Sequence, residues 1–332
     1  MNITLLVQDN SFWNGLADRL RDALPDPASD TLTLTEDRSA PELAETEALI
    51  CYRLSDDELA RMPKLSYLAI PMAGLNTLPI AALRDRGVTV VNAHANGRWV
   101  AERAVALILG WYGRLVPYHN DLARDRWHGF AAGEPATQAW DSIVGTTVAL
   151  LGTGSIAQWT ARLLAPYEVK TRGFRRTGGA DGLPPGLFHT VTTSLAEAVE
   201  GSDTVVVTLP LTAETRGLIG ADELAAMRGA LLVNVGRGHV VDEAALYAAL
   251  TDGTLAGAAI DTWYTYPTAG DGGVCAPAEY PIHTLPNVLL SPHLGGYTPQ
   301  ATMASAREVV EDLADWLATG RTEGAVDLAA EY

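Results

Sequence analysis

The sequence predicts an α/β protein built from two doubly wound parallel-sheet domains. Three observations carry that expectation. Short apolar runs alternate with amphipathic segments along most of the chain, the pattern of parallel strands joined by helices. The length, 332 residues, is too great for one small core and suits about two domains. A glycine-rich turn, Gly152-Thr153-Gly154-Ser155-Ile156-Ala157, follows one apolar run and opens a helical pattern. Hydrophobic residues make up 48% and charged residues 19%, an ordinary globular composition.

In the first hundred residues the strand candidates are Ile3–Val7, Thr31–Leu34, Ala48–Cys51, Tyr67–Ile70 and Val88–Val91. Helical patterns lie near Phe12–Leu24, Asp56–Arg61 and Pro79–Arg84. The strand ends carry Pro71-Met72-Ala73-Gly74 and His94-Ala95-Asn96-Gly97. Ligands of open parallel sheets bind outside the carboxyl ends of the strands.

From Trp99 to Leu115 the pattern is that of a helix too apolar for the surface. Residues Pro117 to Asp141 lack strand character and hold Trp127, Gly129, Gly133, Pro135 and Trp140, which reads as an extended arm. Tryptophans on an arm favour a partner surface, such as another subunit.

Thr147 to Arg176 is the organising stretch. Val148–Leu151 reads as a buried strand, and a second strand runs from about Glu168 to Phe174. Gly152 permits a tight turn, and Gly154 lets the backbone approach a pyrophosphate. Ala157 lets helix and strand pack closely. The free N–H groups at the helix start, around Ser155 and Ile156, would hold the phosphates. The strand, turn, helix and strand in this order make the turn a dinucleotide site.

An NAD site usually carries an acidic residue about 20 residues further on, for the ribose 2′-hydroxyl. Here Arg175 stands eighteen residues after Ala157, and Arg176 follows. Guanidinium groups would bind a 2′-phosphate where a carboxylate would repel it. The expected cofactor is therefore NADP(H), with NAD(H) as the weaker alternative. Further strands are expected at Thr204–Leu209, Leu231–Val235, Ala256–Ile260 and Val288–Leu290, six in all from Val148. Helices are expected at Leu195–Val199, Ala221–Met227, Asp242–Leu250 and Thr298–Ala318.

The formal charge of −17 argues against a nucleic-acid or anionic-membrane partner. Cys51 and Cys275 show neither metal-ligand spacing nor a disulfide framework, so no metal is expected. The first residues look like a strand and not like a signal peptide, and no apolar run is long enough for a bilayer. A cytoplasmic location is the expectation.

Three polar residues stand at strand ends of the second domain: Arg237, Asp261 and His293. An arginine just past a buried strand is well placed to grip a carboxylate in a cleft. A histidine there can donate or accept a proton. Of the other histidines, His94 lies on a strand-end loop and His239 lies close to Arg237.

At these positions the chain resembles the D-isomer-specific 2-hydroxyacid dehydrogenases. The run Leu209-Pro210-Leu211-Thr212-Ala213-Glu214-Thr215-Arg216-Gly217-Leu218-Ile219 is similar to the family's LPLTxxTxxLI. Val233-Asn234-Val235-Gly236-Arg237-Gly238 is similar to its VNxxRG, and Ser291-Pro292-His293 to its SPH or TPH. Val100-Ala101-Glu102 matches the VAE that opens its interdomain helix.

The resemblance implies a flavodoxin-like substrate domain, residues 1–98 and 297–332, with a Rossmann coenzyme domain, residues 99–296, inserted in it. It implies a homodimer. It assigns Arg237 to the substrate carboxylate and the keto oxygen, and His293 to acid/base work. It places the amides of Ala73 and Gly74 on the substrate carboxylate, with Asn96 beside them. It gives Asp261 the nicotinamide carboxamide, and lines the coenzyme site with Leu209, Pro210, Thr215 and Val235.

One position departs from the family. Its pattern after the aspartate is D-V-F-x-x-E-P, whose glutamate pairs with the histidine. This chain reads Asp261-Thr262-Trp263-Tyr264-Thr265-Tyr266-Pro267. Tyr266 can orient the ring by a hydrogen bond but supplies no charge, and Glu279 is the alternative partner for His293. Formate dehydrogenases of the family also lack that glutamate. The expected function is NADP-dependent interconversion of a small 2-keto acid and a D-2-hydroxy acid. The alternatives are a formate- or phosphite-type dehydrogenase without a proton relay, and a dinucleotide-sensing corepressor-like protein. Arg98, beside Asn96, is a candidate second contact for an anionic substrate.

Overall fold

A computed structural model describes residues 1–332 apart from 25, 27, 28, 76, 269, 323 and 330–332. The end of the expected first-domain segment, 330–332, thus lies outside the described residues. The chain divides into two compact units, Met1–Asn96 with Thr298–Tyr332, and Gly97–Tyr297.

The first unit runs β1 (Asn2–Leu6), α1 (Ser11–Asp22), β2 (Thr31–Thr35), β3 (Ala48–Cys51), α2 (Asp56–Ala60), β4 (Tyr67–Ile70), α3 (Ile80–Asp85) and β5 (Thr89–Asn92). Its sheet has the order β2-β1-β3-β4-β5, and every pairing is parallel. This is the flavodoxin-like order. Side chains alternate across a strand, so each strand feeds two cores. Ile3 and Leu5 of β1 pack with Trp13, Leu16 and Leu20 of α1, whereas Leu6 joins Leu49, Leu59 and Leu83 on the other face.

Caps fix where these helices start. Asn10 accepts the Trp13 N–H at 3.0 Å, and Ser55 and Glu58 form a capping box. The C-terminal helix, Pro299–Thr319, is capped by Thr298 and carries proline in its first turn. Its Val309, Val310 and Leu313 enter the α1 core.

The second unit continues with α4 (Gly97–Tyr112), α5 (Leu115–Leu122), β6 (Thr147–Leu151), α6 (Ser155–Leu164), β7 (Lys170–Phe174), β8 (Thr190–Thr192) and α7 (Leu195–Val199). Then come β9 (Thr204–Val207), α8 (Ala221–Ala226), β10 (Leu231–Asn234), α9 (Glu243–Thr251), β11 (Gly257–Ile260) and β12 (Val288–Leu290). The sheet has seven parallel strands in the order β12-β11-β10-β9-β6-β7-β8. Val148 and Leu150 of β6 face one core, Ala149 and Leu151 the other. The order reverses at β6, which pairs with β7 on one side and β9 on the other. Such a switch point is where dinucleotides bind.

Two expectations need correction. The sheet has seven strands where the sequence suggests six. The added β8 is three residues long and only partly covered, so no apolar run announces it. The segment after the long helix is not extended either. Helix α4 stops at Tyr112, Arg114 takes a left-handed φ of 49°, and α5 then runs over Leu115–Leu122. Pro117 sits inside the first turn of α5, where its missing N–H would have had no partner. Two short 3₁₀ turns follow, at Gly129–Ala132 and Ala136–Gln138.

No helix among the described residues is long and apolar enough to cross a membrane.

Candidate active site

The dinucleotide turn is shaped by glycine for a steric reason. Gly152 has a φ of 106°, and a Cβ there would lie 2.6 Å from the Thr208 Oγ1. The turn therefore runs flush against the end of β9. Gly154 is the N-cap of α6, and it makes no side-chain capping bond to that helix. Its N–H groups, at Ser155 and Ile156, are the ones an anion would meet. A Cβ on Gly97 would fall 2.2 Å from the Ser155 Oγ, so the start of α4 packs directly on the start of α6. The residues present fit a bound dinucleotide.

At the end of β7 the two arginines differ. Arg175 is partly buried and donates to the carbonyl oxygens of Asp181, at 2.8 Å, and Gly179, at 3.3 Å. Arg176 is exposed and pairs with Glu214, itself exposed. Glu214 rides on a turn closed by Thr215, whose hydroxyl donates to the Pro210 carbonyl at 2.7 Å. Leu209 and Pro210 begin that turn just past β9.

Arg237 follows β10, between two glycines that admit no side chain. A Cβ on Gly236 would lie 2.7 Å from the Leu209 carbonyl oxygen, and one on Gly238 would lie 2.3 Å from that of Trp263. The backbone carrying Arg237 is thus wedged between the loops after β9 and β11. Asn234, buried at the end of β10, locks the turn from inside. Its amide donates to the Arg237 carbonyl at 3.1 Å, and its side-chain oxygen accepts the Gly236 N–H at 3.1 Å. Val235 is buried in the same turn. Among the described residues Arg237 has no carboxylate partner; its guanidinium donates to the Gly236 carbonyl at 2.7 Å. Burial lowers its pKa from the usual arginine value.

Asp261, at the end of β11, is 1% exposed. Its carboxylate accepts the Ser291 hydroxyl, the Leu294 N–H at 3.0 Å and the Gly295 N–H at 2.9 Å. The resemblance gives this aspartate to the nicotinamide carboxamide. The structure adds a second role, since the same carboxylate ties β11 to the turn that bears His293. That turn needs a tie, because His293 has a left-handed φ of 57°. Trp263 adds another, its indole N–H donating to the Ser291 carbonyl at 2.9 Å.

Tyr266 meets His293 differently from the expectation. The two rings lie 5.3 Å apart at 49°, a tilted contact. The tyrosine hydroxyl accepts the Trp263 N–H at 2.9 Å and makes no hydrogen bond to the imidazole. Glu279 is exposed and has no bond to His293. His293 keeps an exposed face, yet the desolvation its surroundings impose lowers its pKa most, Arg237 lowers it further, and Asp261 raises it.

The second unit therefore gathers Arg237, Tyr266, His293 and Asp261 at the carboxyl ends of β10, β11 and β12. The first-unit candidates collect at the ends of β4 and β5. There Asn92 donates to the Ala73 carbonyl at 2.7 Å, and Gly74 follows. Asn96 closes the loop whose His94 and Ala95 N–H groups Glu308 accepts, at 2.8 and 2.7 Å. Arg98 does not stand free. It lies 5.3 Å from the Trp159 ring centre and 3.6 Å from Glu102, both on helices of the second unit.

Sequence reasoning missed Asn92, Asn234, Ser291 and Trp263. Asn234 and Ser291 sit inside the motifs, but their partners become visible only in the fold.

Residues 105–295 match the family described as D-isomer specific 2-hydroxyacid dehydrogenase, NAD binding domain. The chain belongs to this family. It is 30% identical over 273 residues to the glycerate dehydrogenase of Methylorubrum extorquens, covering 82% of each chain. Among solved structures it is similar to the NADPH-dependent glyoxylate/hydroxypyruvate reductase of Sinorhizobium meliloti in complex with NADP and malonate. That likeness has a TM-score of 0.76 at 27% identity and covers 99% of this chain and 97% of the other. A putative formate dehydrogenase from Pyrobaculum aerophilum is similar at a TM-score of 0.80 and 27% identity, covering 100% of both chains. The second unit is accordingly the nicotinamide-dinucleotide-binding domain of an oxidoreductase.

Proposed function

We propose that the protein is an NADP-dependent reductase of a small 2-keto acid, forming the D-2-hydroxy acid. The observation that carries this reading is Arg237. A largely desolvated guanidinium without a carboxylate partner is costly, and it suits a site whose ligand brings the anion. His293 lies close enough to feel its charge. Arg237 would bind the substrate carboxylate and hold the keto oxygen as negative charge develops there. His293 would deliver the proton to that oxygen. When bound, the coenzyme supplies the hydride that reduces the carbonyl carbon. Gly152, the α6 start, Leu209, Pro210, Thr215 and Val235 would hold it. The resemblance gives the amides of Ala73 and Gly74 to the substrate carboxylate.

Arg175 and Arg176 support the choice of NADP. Arg175 is anchored by carbonyl oxygens that leave its charge uncancelled. Arg176 is held only by an exposed ion pair, which is worth little and is readily exchanged for a phosphate. The reductase of Sinorhizobium meliloti, solved with NADP and a dicarboxylate, points the same way. A coenzyme-oxidation assay across glyoxylate, hydroxypyruvate and longer 2-keto acids, with formate and phosphite run in the oxidising direction, tests the reading. Reduction of a 2-keto acid with NADPH preferred about ten- to a hundredfold is the expected result, one charged hydrogen bond being worth about that much. Arg175→Asp with Arg176→Ala should reverse the preference. Equal use of NADH by the parent overturns the NADP assignment. Oxidation of formate or phosphite alone overturns the substrate class.

The arm after α4 supports a homodimer. Trp127, Phe130 and Trp140 are 62%, 98% and 60% exposed. They line a cavity of about 480 Å³ together with Tyr118, Leu122 and Pro135. His128 keeps the arm folded, bonded to Asp121 at 2.8 Å and near Glu134 at 3.4 Å. Exposed aromatics of this kind fit a second copy of the chain. Light scattering should find a dimer that Trp127→Ser with Phe130→Ser turns into a monomer. A monomeric parent, or a variant that stays dimeric, removes the idea.

A further inference from the structure

The imidazole of His293 makes no hydrogen bond among the described residues, although the resemblance calls for a carboxylate on it. Something else has to hold the ring at the reacting atoms. The ties run to the residues on either side of it. Ahead of His293, the Ser291 hydroxyl donates into Asp261, and the Ser291 carbonyl accepts the Trp263 indole N–H at 2.9 Å. Behind it, the N–H groups of Leu294 and Gly295 donate into the same carboxylate at 3.0 and 2.9 Å. Ser291 and Asp261 are 4% and 1% exposed, so these bonds form out of water, where a charged acceptor makes them strong. Between the ties the backbone of His293 is left-handed, with φ of 57°, a conformation that is uncommon for a residue with a Cβ, though histidine takes it more readily than most, and that the ties help to hold.

We propose that Ser291 is a positioning residue. Its hydroxyl, donated into Asp261, clamps the left-handed turn and thereby aims an imidazole that has no side-chain tether. Three of these four bonds to the turn converge on one carboxylate, and of those three Ser291 supplies the one that comes from the N-terminal side of His293. Without it, Asp261 still holds Leu294 and Gly295, and the fold stays. The Ser291 backbone keeps its N–H bond to the Ile260 carbonyl and its carbonyl bond from Trp263, but the strap from Asp261 across His293 loses its N-terminal end, and the ring between is less tightly aimed. Placement of a catalytic group within a fraction of an ångström governs rate more than binding.

The test uses the full chain loaded with NADPH, in the parent and in Ser291→Ala, Ser291→Thr and Ser291→Cys. For 2-keto acid reduction, Ser291→Ala should lower kcat about tenfold or more, the scale of one hydrogen bond to a charged group. The Kd for coenzyme should stay within about threefold, a margin small beside that loss. Ser291→Thr keeps the donor and should restore kcat. Ser291→Cys keeps the shape with a weak donor and should also fall, which carries the test if the alanine variant does not fold.

This kinetic half rests on the proposed reaction. A second readout does not. The His293 ring resonances, found among the seven histidines by their loss in His293→Gln, should be single in the parent and broadened or doubled in Ser291→Ala. They should be single again in Ser291→Thr. An unchanged His293 signal in Ser291→Ala overturns the proposal whatever the substrate. So does a kcat that Ser291→Thr fails to restore, or a loss that tracks weaker coenzyme binding. Absence of 2-keto acid reduction in the parent, with the ring signals behaving as stated, overturns the reaction and leaves the clamp standing.

Discussion

Replacing Arg237 by methionine is expected to lower kcat/KM for 2-keto acid reduction by about 10²–10³-fold and to raise thermal stability. The two effects have one cause. The guanidinium is taken largely out of water with no carboxylate to compensate, so the folded protein carries the desolvation cost and the substrate relieves it. Methionine has a similar reach without charge, so the free enzyme gains. The transition state loses the donor aimed at the developing oxyanion, and loss of one such donor typically costs about 10²–10³. Arg237→Lys should recover little, because an ammonium is a point charge and cannot offer the planar fork that grips a carboxylate at two points. The measurements are steady-state kinetics and a thermal melt. For a chain of 332 residues each kcal/mol gained moves Tm by about 1–2 °C. A variant that keeps its activity, or one that melts lower than the parent, shows that Arg237 is a structural residue with a partner elsewhere.

The frame of this site is legible in the sequence because local rules produce it. Period-two alternation along β1 and β6 decides which side chain enters which core. Gly152 is read from its place between a strand and a helix, although its close approach to Thr208 is spatial. The pair Gly236 and Gly238 can be read as motif letters, but their reason is spatial. They are small because the Leu209 and Trp263 backbones press on them, and both contacts cross between strands. The same holds for Asn234, Ser291 and Trp263, whose bonding partners lie up to 30 residues away along the chain. The helix in the arm is obscured by Pro117 and the glycines after it, which look like breaks until Pro117 is seen to occupy a first helical turn. Tyr266 does lie beside His293, yet its hydroxyl goes to a backbone N–H that no pattern in the chain announces.

His293→Gln should lower kcat for reduction by about 10²–10⁴-fold, the usual contribution of a positioned acid, and should abolish the alkaline limb of the pH profile. The position of that limb in the parent follows from what surrounds the ring. Desolvation disfavours the imidazolium first, Arg237 repels it next, and Asp261 works the other way. Tyr266 packs on the ring as a neutral group. His293 thus releases its proton below the ordinary histidine value, and reduction, which needs the protonated form, begins to fall as pH rises through that lowered pKa. Substrate changes the balance. A carboxylate bound to Arg237 cancels much of the repulsion, so the imidazolium is better tolerated in the complex than in the free enzyme. The limb in kcat, which reports the complex, should therefore lie at higher pH than the limb in kcat/KM, which reports the free enzyme. Tyr266→Glu places a negative charge against the ring and should move both limbs upward. Tyr266→Phe removes only the acceptor of the Trp263 N–H, and should lower the rate while leaving the limbs in place. Glu279→Gln should change neither. Coincident limbs in the parent would show that Arg237 and His293 are not coupled through the substrate. A limb that survives in His293→Gln would assign the proton to another group, and the acid role of His293 would be withdrawn.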